Sequence, residues 1–153
     1  VWPSYFRGWH TLIVDIEDKG KFKNEKGAIL GLEHTINKLN ELGKNVILVG
    51  PVPVYDENVP LSHANALIQN KPFKNTNYNQ VIDYNSIFFD YVEKNNKDFS
   101  FINPLKWICK PNCLTTIDGK SIYWDSNHLN KFGSLYLEQY LALNLETTLN
   151  KNK

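Results

Sequence analysis

Leu39-Asn40-Glu41-Leu42-Gly43-Lys44-Asn45-Val46-Ile47-Leu48-Val49-Gly50-Pro51 is the stretch whose reading decides the fold. Upstream of Gly43 the apolar residues recur at helical spacing, with Ile29, Leu32, Ile36 and Leu39 followed by Leu42. That period predicts a helix over residues 27–42, and Gly43 is a good stop signal. Downstream, residues 45–49 form a short continuous apolar run, the mark of a strand buried on both faces. Gly50-Pro51-Val52-Pro53 ends that run abruptly. A helix, then a buried strand, then a loop at the strand's carboxyl end is the unit of an open parallel α/β sheet. Ligands of such sheets bind at those carboxyl ends.

Working outward, residues 1–9 are aromatic-rich, with Trp2, Tyr5, Phe6 and Trp9 around Pro3 and Gly8, and read as the end of a buried strand running into a loop. Residues 11–16 are apolar and β-branched. With Asp18-Lys19-Gly20 and Lys21-Phe22-Lys23 after them, they suggest a short hairpin. Asp15, Glu17 and Asp18 read as a solvated turn rather than metal ligands. Residues 55–79 are polar, contain Pro60 and Pro72, and read as a long irregular excursion, the kind that often forms a lid or substrate wall. His63 within it is by default an exposed loop histidine, and His34 is off the helical stripe and solvent-facing. Residues 80–95 predict a second helix with Ile82, Asn85, Phe89 and Val92 on one side. Residues 99–102 predict the next strand, stopped by Asn103-Pro104. A glycine turn follows at Asp118-Gly119. Asn130 can cap a final helix whose apolar side is Leu135, Leu137, Leu141, Leu145 and Leu149, with residues 151–153 fraying.

The chain of 153 residues is long enough for one domain with a core, and no repeat, low-complexity segment or linker divides it. Its 42% hydrophobic and 22% charged content is that of an ordinary globular protein. A formal charge of +1 with scattered lysines argues against nucleic acid as the partner. No apolar run approaches a membrane span. The sequence opens on Val1 without a signal peptide, which suggests an excised or processed piece.

Two features point to chemistry. Cys109 and Cys113 are the only cysteines, too few for a zinc site. The Pro111-Asn112 pair between them can turn the chain and bring the sulfurs together. A bridge there would mean an oxidising compartment, and two reduced cytosolic thiols are the alternative. The second feature is Tyr123-Trp124-Asp125-Ser126-Asn127-His128-Leu129. A histidine base needs one ring nitrogen for the nucleophile and an acceptor on the other, and a carboxylate three residues away in a turn can supply that acceptor. A solvated turn with Asp125 or Asn130 as a helix cap accounts for the same spacing.

The pattern Asp125-x-x-His128-Leu129-Asn130-x-x-Gly133, late in an α/β chain, resembles the last conserved block of the SGNH (GDSL-type) hydrolase superfamily. With Asn103-Pro104, Cys109 to Cys113, Asp118-Gly119 and Tyr123-x-Asp125 before it, the last third of the chain is similar to the SGNH domains fused to acyltransferase-3 membrane proteins. The resemblance implies a flavodoxin-like three-layer α/β/α fold with a mostly parallel sheet, and no metal or organic cofactor. It implies His128 as the base that activates a serine and Asp125 as the residue that orients it. The serine would take an acyl group, most often acetyl, and pass it to an envelope polysaccharide or peptidoglycan, or to water. It also implies an acyl donor and a glycan acceptor as partners, an upstream membrane acyltransferase domain linked to this one, and a periplasmic location tethered to the inner membrane.

One departure is large. The family's nucleophile sits in a Gly-Asp-Ser block after the first strand, and no Gly-Asp-Ser occurs among these residues. Its glycine and asparagine oxyanion-hole blocks are not recognisable either, so much transition-state stabilisation is unassigned. Ser126 sits between Asp125 and His128, too constrained to serve. Ser4 is a remote candidate, and Ser62, Ser86, Ser100, Ser121 and Ser134 read as ordinary positions. The expectation is a single SGNH-like domain over residues 1–153, lacking its first strand and nucleophile block and inactive alone. Two alternatives stand beside it. One is a glycan-binding or scaffolding module that kept the fold and lost the serine, with Trp2, Tyr5, Trp9, Tyr55, Tyr123 and Trp124 available to stack on sugars. The other is a stand-alone secreted esterase.

Overall fold

A computed structural model describes residues 13–14, 21–22, 25–73 and 75–151. The elements in chain order are β1 (Ile13–Val14), β2 (Lys21–Phe22), α1 (Glu25–Glu41), β3 (Ile47–Val49), α2 (Val59–Ile68), α3 (Tyr78–Tyr84), α4 (Ser86–Lys94), β4 (Ser100–Ile102), α5 (Leu105–Ile108), β5 (Thr116–Ile117), β6 (Lys120–Ser121) and α6 (Lys131–Lys151). They fall into two compact units, each assembled from two stretches of chain: residues 1–50 with 84–102, and residues 51–83 with 103–153. The aromatic start, Ser4 and the acidic turn of Asp15, Glu17 and Asp18 lie outside the described residues.

In the first unit, the expected hairpin is present as β1 antiparallel to β2, with Ile13 opposite Phe22. The parallel pair is β3 with β4, in the register Ile47 to Ser100, Leu48 to Phe101 and Val49 to Ile102. Ser100 N–H donates to the Val46 carbonyl and Gly50 N–H to the Ile102 carbonyl, closing the ladder at both ends (2.9 and 2.8 Å). A parallel pair cannot be joined by a tight turn, so long crossover chain must intervene. α1 ends as Gly43 predicts. Gly43 takes φ +67°, and the N–H groups of Gly43 and Lys44 reach back to the carbonyls of Asn40 and Leu39 (both 2.9 Å), a Schellman closure. The core of this unit is Ile36, Phe88, Tyr91, Val92 and Phe99, with Ile29, Leu32, Val46 and Leu48 packed on it. The predicted stripe fails at its end: Leu42, one residue past α1, is 61% exposed. The partner helix α4 has nine residues against seventeen in α1, so it covers only part of the stripe.

The predicted single helix over 80–95 is two helices, α3 and α4, broken at Asn85, whose φ of −109° and ψ of 27° are not helical. The second unit corrects the sequence reading more sharply. The "irregular" stretch 55–79 contains the ten-residue helix α2. Asn58 caps it by accepting the Leu61 N–H on Oδ1 (3.0 Å). Pro60 lies in the first turn, where a missing N–H costs nothing, so it starts a helix instead of breaking one. Asp118 and Gly119 both take positive φ (50° and 74°), which makes the β5–β6 connection a tight primed turn. Of the predicted leucine row on α6 only Leu137 is buried, while Leu135 and Leu149 are about half exposed (54% and 50%). Leu135 and Leu137 are two residues apart, about 200° around an α-helix, so they cannot share a face. The four-residue row drifts by about 40° per step, putting Leu149 about 120° from Leu137.

Cys109 and Cys113 form a disulfide and are both buried. The five-residue loop they close docks on the segment before α3, with Cys113 N–H donating to the Thr76 carbonyl (2.8 Å) and Tyr78 N–H to the Pro111 carbonyl (2.9 Å). By chain entropy so small a ring contributes about 2 kcal/mol. A Cys109→Ser, Cys113→Ser double variant is therefore expected to unfold at lower urea, with the midpoint shift read by circular dichroism. An unchanged midpoint would leave the bridge without a stabilising role.

Candidate active site

The candidate site is the loop from Ile122 to Asn130, between β6 and α6, and its conformation is set by its own polar groups. Trp124 N–H donates to the His128 carbonyl (2.8 Å), and Tyr123 bridges to Leu129, so the chain folds back on itself across Asp125-Ser126-Asn127. Asn130 ties this turn to the helix that follows. Its Nδ2 donates to the carbonyls of Ser121 (2.7 Å) and Tyr123 (3.3 Å), and its Oδ1 accepts the Gly133 N–H (2.9 Å), capping α6 as the sequence suggested.

Asp125 and His128 meet inside that turn. His128 Nδ1 lies 2.7 Å from Asp125 Oδ2. The other carboxylate oxygen, Oδ1, accepts the main-chain N–H groups of Asn127 (2.9 Å) and His128 (2.8 Å). Both carboxylate oxygens are thus committed, and the carboxyl cannot rotate without losing two bonds. An ionised carboxylate only accepts, so Nδ1 carries the proton and the neutral ring keeps its basic lone pair on Nε2. Desolvation is the largest single influence on the Asp125 carboxyl and raises its pKa. The Asn127 N–H, the His128 ring and the His128 N–H together outweigh it, and the net shift is downward. The pairing is therefore present above the usual carboxylate range and is lost only as pH falls through that lowered value. At 50% and 33% side-chain exposure the pair contributes about 0–1 kcal/mol to stability. It is not what holds the loop.

What holds it from outside is the segment from Pro53 to Val59, whose contacts with this loop the sequence did not show. The buried Tyr123 hydroxyl donates to the Pro53 carbonyl (3.2 Å), Tyr55 N–H to the Ser126 carbonyl (2.8 Å) and Val59 N–H to the Asp125 carbonyl (3.2 Å). Tyr55, Val59, Ile122 and Tyr123 are the buried cluster beneath the site, with the two tyrosine rings edge to face at 5.2 Å. Burial is the main cause of the raised pKa of both phenols, which stay protonated. The sequence signals for this clamp were the abrupt Pro51-Val52-Pro53 strand ending and the reading of residues 55–79 as the kind of excursion that forms a lid or substrate wall.

His63 is neither exposed nor in a loop. It sits half-buried on α2, 2.7 Å from the Thr115 hydroxyl and stacked on Phe73 at 4.0 Å, and burial lowers its pKa. The serines nearest the site in sequence have local partners. Ser126 Oγ bonds the Asn127 side chain (3.4 Å) and Ser121 Oγ the Tyr123 main chain. Among the described residues no group of three or more metal-ligating side chains occurs, and no helix is long and apolar enough to cross a membrane.

A family model described as an SGNH domain fused to AT3 domains matches residues 1–142. The chain belongs to this SGNH family. No curated protein matches it. Among solved structures, the SGNH domain is similar to the lipopolysaccharide acetyltransferase periplasmic domain of Salmonella ser. Paratyphi A, with a TM-score of 0.62 and 26% identity over 78% of this chain and 49% of that one. The chain therefore spans about half the length of that solved domain. Helices around a parallel β3–β4 pair, together with this likeness, agree with the α/β fold class read from the sequence.

Proposed function

We propose that this SGNH domain works in an O-acyltransferase, moving an acetyl group to a bacterial envelope polysaccharide or peptidoglycan, or in a related carbohydrate esterase. The observation that carries this reading is the 2.7 Å contact of His128 Nδ1 with a carboxylate whose other oxygen is locked by two main-chain N–H groups. Such a pair fixes the tautomer of a base and stabilises the imidazolium that forms when it takes a proton. His128 Nε2 accepts the proton of a serine hydroxyl as the serine oxygen attacks the acyl carbonyl. The bond from that carbonyl to the donor's leaving group then breaks, the leaving group takes the proton from Nε2, and an acyl ester of the serine results. A second hydroxyl, of a sugar or of water, then attacks that ester while the same nitrogen takes its proton and returns it to the departing serine oxygen. Family membership and the neighbouring acetyltransferase domain support an acetyl group. The disulfide supports an oxidising, extracytoplasmic compartment. A membrane acyltransferase domain in the same polypeptide is the proposed source of the acyl group. No Gly-Asp-Ser occurs here, so the serine is placed elsewhere in the full-length protein.

A fluorophosphonate probe applied to the full-length protein, followed by peptide mapping, tests this. One serine should label, and much more slowly in a His128→Ala variant. If no serine labels, or the rate ignores His128, the serine acyl-enzyme reading fails. A label on Ser126 would instead overturn its exclusion.

A further inference from the structure

We propose that Trp124 is a stacking platform for a sugar ring of the acceptor, presented beside the Asp125–His128 pair. This rests on the acyl-transfer reading above and adds to it the residue that favours a glycan over water.

Among the described aromatic residues Trp124 is the most exposed. Tyr55 and Tyr123 are core, at 9% and 1% exposure, whereas Trp124 is 76% exposed. The indole is not on a loose tether. Trp124 N–H is bonded to the His128 carbonyl (2.8 Å), the residue before it is anchored through its hydroxyl to Pro53, and the residue after it is the doubly bonded Asp125. Only its own two side-chain torsions are left to order on binding, so a ligand stacked there loses little to immobilisation. The exposed leucines and isoleucine of α2 and α6 offer apolar area but no flat face, and the Phe132 ring of α6 is only 37% exposed and lies under the Lys120 ammonium (6.0 Å). Trp124 adds a planar surface with a polar N–H edge. Ser126 and Asn127, both half-buried, lie two and three residues further on and carry hydroxyl and amide groups.

A pyranose matches this arrangement. Its C–H face lies against an aromatic ring, and its rim of hydroxyls bonds to polar groups around the edge. The chemistry also requires the acceptor to be near His128. The sugar hydroxyl must give its proton to Nε2 as its oxygen bonds the acyl carbon, and the proton then passes to the serine oxygen that leaves. The main-chain hydrogen bond from Trp124 N–H to the His128 carbonyl puts the platform and the base on the same short turn.

The acyl-enzyme partitions between sugar and water, so the ratio of glycan ester to free acetate reports acceptor binding. The test uses the full-length protein with p-nitrophenyl acetate as donor. A β-1,4-linked N-acetylglucosamine tetramer and an α-linked mannose tetramer are the acceptor probes. Trp124→Ala is expected to lower the ester-to-acetate ratio by about tenfold or more, the size of a lost ring-stacking contact. Trp124→Phe should recover most of it. A ratio unchanged in Trp124→Ala, including one where both products fall together, would overturn the platform, as would a wild-type protein that acylates neither sugar. His128→Ala separates the two ideas. Loss of both products there supports the base assignment whatever Trp124 does, and retention of both sinks the acyl-transfer reading itself.

Discussion

An Asp125→Asn variant of the full-length protein is expected to lose about 10⁴-fold in acyl transfer while folding normally, because it inverts the tautomer of His128. Asparagine has nearly the shape of aspartate, so the loop should accept it. Its single carbonyl oxygen must go where Oδ1 now accepts the N–H groups of Asn127 and His128. Turning the amide over would set its NH₂ against those two donors. The amide NH₂ therefore faces His128 Nδ1, at the position of the present 2.7 Å contact. A donor there needs an acceptor, so Nδ1 loses its proton and Nε2 gains one. A protonated Nε2 in a neutral ring cannot take the proton of a hydroxyl. The measurement is transfer rate alongside thermal unfolding for Asp125→Asn. A rate within tenfold of wild type, with the fold intact, would mean that Asp125 is a turn-forming residue and no partner of a base.

Gly133→Ala is expected to destabilise the protein by about 3 kcal/mol, the upper part of the usual range for overpacking. Helix propensity predicts the reverse, since alanine is favoured over glycine in a helix by about 1 kcal/mol. The close approach of α6 to Ile122 decides against propensity. A Cβ at 133 would overlap the Ile122 carbonyl oxygen and crowd its carbonyl carbon and Cβ. Those are mainly backbone atoms, and the same carbonyl is already fixed by the Asn130 N–H (3.0 Å). Nothing can move aside without displacing the turn that holds Asp125 and His128. Gly31→Ala is the matched control. Gly31 is exposed within α1 with nothing near its would-be Cβ, so this change should stabilise by about 0.5–1 kcal/mol. Urea unfolding of the two variants, one shifted down and one up, checks both. Equal and small shifts would mean that α6 does not approach Ile122 as described.

What the sequence determined alone is whatever rests on interactions between near neighbours. Gly43 closes α1, Asp118-Gly119 turns β5 into β6, Asn130 caps α6, and Asp125 meets His128 three residues away. In each case the side chain that specifies the feature and the group it contacts lie within a few residues, so pattern and spacing are enough. The misreadings have the same root. Pro60 and a four-residue leucine row were read as single signals, when position within the first turn and drift around the axis determined their meaning. Tertiary structure alone decided the pairing of β3 with β4, the clamp of Pro53, Tyr55 and Val59 on the dyad loop, and the burial of His63 against Thr115 and Phe73. It also decided that Tyr123 is core while its neighbour Trp124 faces water. These depend on residues tens of positions apart arriving at one place. A single sequence shows what each residue can do there, and only the folded chain shows which of them arrive.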